Sequence, residues 1–325
     1  MERARGIAEA VLFPAAMKTD ASDLLPVAQL DVLAQEGFYG IAGPTEAGGL
    51  DLDQSTTSQV VESFASGCLT TAFVWLQHRN PVRAVAASDT PGLRDEWLAA
   101  LCRGDRRAGI ALAGNRPGSP ILRASRTASD DVILHGEAPW VSGWGRVDVI
   151  LVAARDGDDV ISVLVDATED PTLSARRLSL VGANASGTVT LRFRDHRVPA
   201  DRVVSEEPHA DVLVRDAAGL RLNGSLALGV VDRCCRLMGP SVFDERLVAV
   251  RGSLDDATAE TSPAARAAAS ELAMRAAAAL TVAHGSRSIL LDQHPQRLAR
   301  EALFLLVFGS RPPIRAELSR RIAGA

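Results

Sequence analysis

Apolar residues recur along this chain with two different periods, and the switches between them mark three stretches. Over residues 1–107 the period is helical. Val27, Leu30, Leu33 and Ala34 fall on one face, with Gly37 placed as a C-terminal cap. The spacing returns at Val60, Val61 and Phe64, runs through Phe73, Val74 and Leu76, and recurs at Trp97, Leu98 and Leu101, where Gly104 closes the segment. Between them, residues 37–52 (GFYGIAGPTEAGGLDL) are too rich in Gly and Pro for a helix or a central strand. Their glycines form neither GxGxxG nor a Walker pattern, so spacing gives this loop no phosphate-binding role.

From about Gly109 the period becomes two. Val189, Leu191 and Phe193 alternate with Thr190, Arg192 and Arg194, which predicts a strand with one wet face. Residues 147–153 and 160–165 are nearly unbroken apolar runs, and Asp156-Gly157 between them is a hairpin signal. No long helical segment interrupts these strands. An antiparallel barrel or sandwich follows, not a sheet with crossover helices.

After about Asp211 the helical period resumes. Leu220, Ala227, Val230, Val231, Cys234 and Leu237 make one stripe, stopped by Gly239-Pro240. Ser241 and Asp244 form a capping box, and Ser262-Pro263 is a second helix start. An Ala-rich segment with a Glu271/Arg275 pair follows, then one or two helices over residues 295–322, broken at Gly309 and Pro312-Pro313. The fold class is α+β: a helical stretch (1–107), a β unit (108–207) and a helical bundle (208–325).

Composition narrows the function. The 325 residues are 47% hydrophobic, enough for two or three packed units, and the net charge of −5 offers no basic field for nucleic acid. The longest apolar run, residues 302–308, is far shorter than the ~18 residues of a membrane span. The apolar patch over residues 7–17 is broken by Glu9 and Pro14 and does not read as a signal peptide. Four cysteines without CxxC spacing (Cys68, Cys102, Cys234, Cys235) read as reduced, buried thiols, and no metal-ligand spacing stands out. These features predict a soluble, cytoplasmic protein.

The chemistry gathers at residues 134–148, LHGEAPWVSGWGRVD, where Trp140, Trp144 and Ser142 sit in a glycine-punctuated corner. An indole face with a hydroxyl and free backbone N–H groups suits a flat, polar ring system. A core tryptophan beside a turn serine would look the same.

The order of elements resembles the acyl-CoA dehydrogenase family, and four segments carry the likeness. Residues 37–52 are similar to its Gly-Gly-Leu-x-Leu loop, and residues 111–120 (ALAGNRPGSP) stand where it has Thr-Glu-Pro through Gly-Ser-Asp. Trp140-Val141-Ser142 resembles its Trp-Ile-Thr/Ser motif, and residues 193–199 (FRDHRVP) its Phe-x-Asp-x-x-Val-Pro. The resemblance implies FAD, with its isoalloxazine between the β unit and the C-terminal helices. Trp140 would pack near the ring, with Val141 beside it, and Ser142 would hydrogen-bond the reactive edge. Leu112 and Ala113 would lie along the pyrimidine side, and Ser119 would help hold the phosphates or a thioester ligand. It also implies an acyl thioester substrate and a homodimer or homotetramer with FAD bridging subunits. With the resemblance added, cofactor contact is favoured over core packing for Trp140 and Ser142.

Departures from the pattern bear on the reaction. Ala113-Gly114-Asn115 replaces Thr-Glu-Pro, and the diphosphate loops are shortened to residues 237–246 and 284–287, where Arg246 or Arg287 could offer the diphosphate a fork of donors but each reads rather as a solvated surface arginine. The family's catalytic glutamate lies in Ile-Tyr-Glu-Gly-Thr. Residues 306–310 (LVFGS) align there, with Phe308 in the glutamate's place, and Gly219-Leu220, where some relatives carry the base, has no carboxylate. A positioned base is worth ~10²–10⁴ in rate. His284, Asp292 and Glu301 are weak substitutes; Glu301 suits a structural ion pair, and His135 and His196 read as surface or edge residues. The expectation is a flavin-dependent oxidoreductase with a divergent active site. Its alternatives are a flavin monooxygenase-type enzyme or a catalytically inactive binding or scaffold subunit.

Overall fold

The structure, a computed structural model, describes residues 1–216, 219–309 and 311–324. The chain opens with one rod: α1 (Glu2–Ile7), a π-helical turn over Ala8–Leu12, and α2 (Phe13–Asp20). Pro14, read as a break in the apolar patch, lies inside this rod. It cannot donate to the residue four back, and the wider turn before it absorbs that loss. Next come α3 (Val27–Gln35), a loop with two 3₁₀ turns, α4 (Gln54–Gly67), α5 (Leu69–Gln77), α6 (Arg79–Ala86) and α7 (Leu93–Arg103). Asp53 caps α4 by accepting from Thr56 N–H at 2.7 Å, and Gly104 ends α7 in the left-handed region. Every residue of α5 is buried, which makes it the central helix.

Eight strands follow: β1 (Ala108–Ala111), β2 (Leu122–Arg126), β3 (Val132–Val141), β4 (Val149–Asp156), β5 (Asp159–Asp166), β6 (Leu173–Arg177), β7 (Val189–Val198) and β8 (Val203–Pro208). They form one sheet in the order β6-β7-β3-β2-β4-β5-β8, with β1 against β4. Of the barrel or sandwich expected, the sheet is sandwich-like and does not close. The expectation that it is antiparallel is corrected: β1 runs parallel to β4, as does the single bridge between Arg123 and Arg155. The β2–β3 hairpin intervenes between β1 and β4, so the returning strand points the same way. The β4–β5 hairpin turns through Gly157, at φ 57°, where the Asp-Gly signal placed it.

The chain ends in α8 (His209–Asp216), α9 (Leu220–Met238), α10 (Val242–Asp255), α11 (Ser262–His284), α12 (His294–Val307) and α13 (Pro312–Ala323). The Ser241/Asp244 capping box is formed, and Glu271 pairs with Arg275 at 2.8 Å. Ser262 is already inside α11, whose N-cap is Thr261. All four cysteines are buried and unpaired, and no helix among the described residues is long and apolar enough to cross a membrane.

Helices from both ends of the chain share one core. Leu12, Phe64, Leu69 and Trp75 pack with Leu226, Val230, Leu280 and Leu305. Gly229 permits this closeness: a Cβ there would meet Glu62 O of α4 at 2.4 Å. A second core fills one side of the sheet, and a third joins α6 and α7 to β1 and β4.

Candidate functional site

β3 buries Val132, Leu134 and Ala138, with a first register shift against β7 between Leu134 and Gly136. Then Ala138 pairs with Leu191 and Val141 with Val189, so three steps on β3 match two on β7. The extra residue is a bulge, and its effect is a change of face. Val141 turns into the core, while Trp140 is left outside, 61% exposed and at φ 66°. A bulky residue at positive φ is a genuine outlier, and such strain persists only where the surroundings hold it.

Ser142 lies on the same outward side as Trp140, two residues on, and is 5% exposed. Its Oγ shares a hydrogen bond with Thr188 Oγ1 at 2.8 Å, and Thr188 shares another with Ser186 Oγ at 2.7 Å. Three hydroxyls carry three protons, and two bonds use two of them. At least one O–H is therefore uncommitted. Thr190, opposite the bulge, is 7% exposed, and its hydroxyl has no hydrogen-bond partner among the described residues. The wet face expected of β7 thus begins only at Arg192. The sequence pattern did not single out Ser186, Thr188 or Thr190 as members of this corner; Thr190 stood in the polar half of an alternation assigned to solvent.

The other expected contacts lie along the opposite edge of β3. Ala113 starts a 3₁₀ turn over Ala113–Asn115 and is buried. Gly114 lies so close to the Ala153–Ala154 backbone that a Cβ would meet Ala153 O at 2.7 Å, so no larger residue fits. Leu112 turns its half-buried side chain toward Ala153, Val160 and Val212, which leaves its backbone as the part facing elsewhere. Asn115 keeps a buried Oδ1 with no partner. Ser119 is exposed, on a loop that enters β2 where Glu137 N–H donates to Ile121 O at 2.9 Å.

Phe308 caps α12 and is half-buried. Its ring meets Phe73 of α5 edge-on at 4.8 Å and stacks on Phe304 at 5.4 Å. The neighbouring Val74 faces the corner: a Cβ on Gly143 would lie 3.5 Å from its Cγ1. α5 therefore links the Ser142 turn to the phenyl cluster. Gly309, at φ 60°, faces Asn223 of α9, and Ser310 lies outside the described residues. None of the weak substitutes for the base is built into a site. Glu301 is deep in the bundle, paired with Arg297 at 2.6 Å, and burial pushes its carboxyl up. It lies two turns, about 10 Å, from Phe308 along α12. His284 and Asp292 are exposed, as are Arg246 and Arg287. His135 is an exposed partner of Asp195 at 2.9 Å; His196 is held below its usual value by burial. Among the described residues no cluster could hold a metal ion.

Residues 1–105 match the acyl-CoA dehydrogenase N-terminal domain family. The mitochondrial short-chain specific acyl-CoA dehydrogenase of Bos taurus is 27% identical over 211 residues, 62% of this chain and 51% of that one. Residues 1–105 belong to the acyl-CoA dehydrogenase N-terminal domain family, and the chain is similar to acyl-CoA dehydrogenases over 62% of its length. Another relative, the 3-sulfinopropanoyl-CoA desulfinase of Cupriavidus necator, is 29% identical over 232 residues, 67% of this chain and 56% of its own. The chain spans about half the length of the curated relatives it matches. The fold extends further: a glutaryl-CoA dehydrogenase from Mycobacterium smegmatis, solved in complex with FADH2, superposes with a TM-score of 0.83 at 18% identity, covering 100% of this chain and 93% of that one.

An exposed indole, a hydroxyl string with a spare proton and an unpartnered threonine hydroxyl lie on one face. That donor set fits a flat ring with polar edges.

Proposed function

We propose that this chain binds FAD and acts as an oxidoreductase on an acyl thioester, with a pocket in which position 308 supplies no base. The observation that carries the reading is Trp140, held at positive φ by a bulge with its indole in the open beside buried hydroxyls. When bound, FAD supplies the hydride acceptance that no side chain offers.

The chain's own groups do the rest. Trp140 and Val141 set the ring's plane, and Ser142 donates the proton left over from its hydroxyl string to the ring's polar edge. Backbone N–H groups at Leu112 and Ala113 face the opposite edge, and Ser119 stands at the loop where a thioester ligand or phosphates enter. Phe73, Phe304 and Phe308 wall the substrate side with rings and exclude water, which strengthens every directed hydrogen bond within. Removal of an α-proton has no carboxylate at that wall, so desaturation is slow. One relative is named a desulfinase of 3-sulfinopropanoyl-CoA; a thioester need not be desaturated by a chain this similar.

The absorption spectrum of the purified protein, before and after adding FAD, tests the reading. Bound-flavin bands that bleach slowly under acyl-CoA without oxygen are expected. A colourless protein that takes up no FAD would sink it and favour a scaffold role, while rapid oxygen-dependent hydroxylation would favour the monooxygenase alternative. Phe308→Glu is expected to raise anaerobic bleaching by ~10²–10⁴. Unchanged bleaching with FAD bound would refute position 308 as the place of the base.

A further inference from the structure

The face that carries Trp140 and Ser142 continues across β7 and β6. Arg176 of β6 pairs with Thr190, the residue opposite the Trp140 bulge, and the next row reads Glu137, Arg192, Ser174. Cross-strand partners share a face, so the indole, the Thr190 hydroxyl and both arginines lie on one side of the sheet. Two strand spacings, about 10 Å, separate the strand of Trp140 from that of Arg176. Both arginines are exposed, and neither side chain makes a hydrogen bond or ion pair among the described residues. Glu137, opposite Arg192, is the one carboxylate in these two rows, and it too makes no ion pair.

A lone exposed arginine is usually only solvated. Here two unpaired guanidinium groups stand beyond Thr190, itself 7% exposed, whose hydroxyl has no partner among the described residues, in line with a strained, exposed indole. A guanidinium fork matches the oxygens of a phosphate better than any other side chain. We propose that Arg176 and Arg192 hold the diphosphate of the flavin dinucleotide whose ring rests on Trp140. This deepens the flavin reading above and rests on it. The chain then has a local anion site in place of its shortened loops, where Arg246 and Arg287 are exposed and lie on other elements. Ser119, on the β2 side of Trp140, is left to the thioester.

The test is titration of the flavin-free full chain with FAD and with riboflavin, which carries the ring but no phosphate, followed by fluorescence. Arg176→Gln and Arg192→Gln are each expected to weaken FAD binding about tenfold and to leave riboflavin unchanged. Glu137→Gln should tighten FAD, because it removes a repelling charge, and should leave riboflavin unchanged. Added salt should weaken FAD and not riboflavin. The proposal is overturned if the double arginine variant binds FAD as the wild type does, or loses riboflavin equally. In either case the flavin reading stands. A wild-type chain that binds neither flavin overturns both.

Discussion

Trp140 is where one residue's backbone and its side chain pull in different directions. Its positive φ destabilises the empty protein by roughly 1–3 kcal/mol, the range for such conformations, and its exposed indole recovers none of that by burial. Glycine has no such penalty. Trp140→Gly is therefore expected to raise the melting temperature of the flavin-free chain by a few degrees while weakening flavin binding at least tenfold. Calorimetry and a flavin titration on one preparation check both signs, and a loss of stability would argue that the indole is a packing residue after all. The sequence made Trp140, Val141 and Ser142 conspicuous. It gave no sign of the bulge, because one extra residue in a strand leaves composition and neighbours unchanged and alters only which face each side chain takes.

At the scale of elements, the joint between α5, α6, α7 and β1 is pinned by a histidine that the pattern did not single out. His78 is buried. Its Nδ1 accepts from Ala108 N–H at 2.9 Å, which leaves Nε2 to donate to Leu101 O at 2.9 Å. Such a ring must be neutral, and burial, only partly offset by the bond to Leu101 O, holds its pKa down at about 4. The unfolded chain binds this proton from about pH 6.5 downward, whereas the folded one resists until about 4. Stability is thus fully present above pH 6.5 and falls as the solution is acidified to 4, by up to about 1.4 kcal/mol per unit for this one group. Urea unfolding of wild type and His78→Gln across that window should show the shallower slope in the variant. Equal slopes would refute the assignment. His294 is also held down to about 4, chiefly by burial, and keeps its own share of the slope in both proteins. Helix positions and caps were legible element by element, since the 3.6-residue period and the capping residues are local. The parallel β1–β4 pairing was not, because it depends on where a hairpin far along the chain returns.

An apolar cluster is left uncovered where α11 ends. Val282 on α11, and Ile289 and Leu291 in the turn after it, are each at least 75% exposed. Burying such a face is worth roughly 25 cal/mol per Å², and a second copy of this chain is the occupant that the family resemblance implies. We expect the protein to sediment as a dimer or larger assembly, and Leu291→Asp to shift it to the monomer with its fold intact by circular dichroism. A wild-type monomer at micromolar concentration would refute this.

The sequence by itself determined what local physics can decide. Apolar period named helix and strand, glycine and proline placed the breaks, and the tryptophan–serine motif marked the corner. Only the tertiary structure decided which polar residues face water and which face a site. Thr188 and Thr190 alternate with apolar residues just as Arg192 does, yet the first two are buried and Arg192 is exposed. Burial depends on what packs over a strand, and the parts that do so here come from distant stretches of the chain.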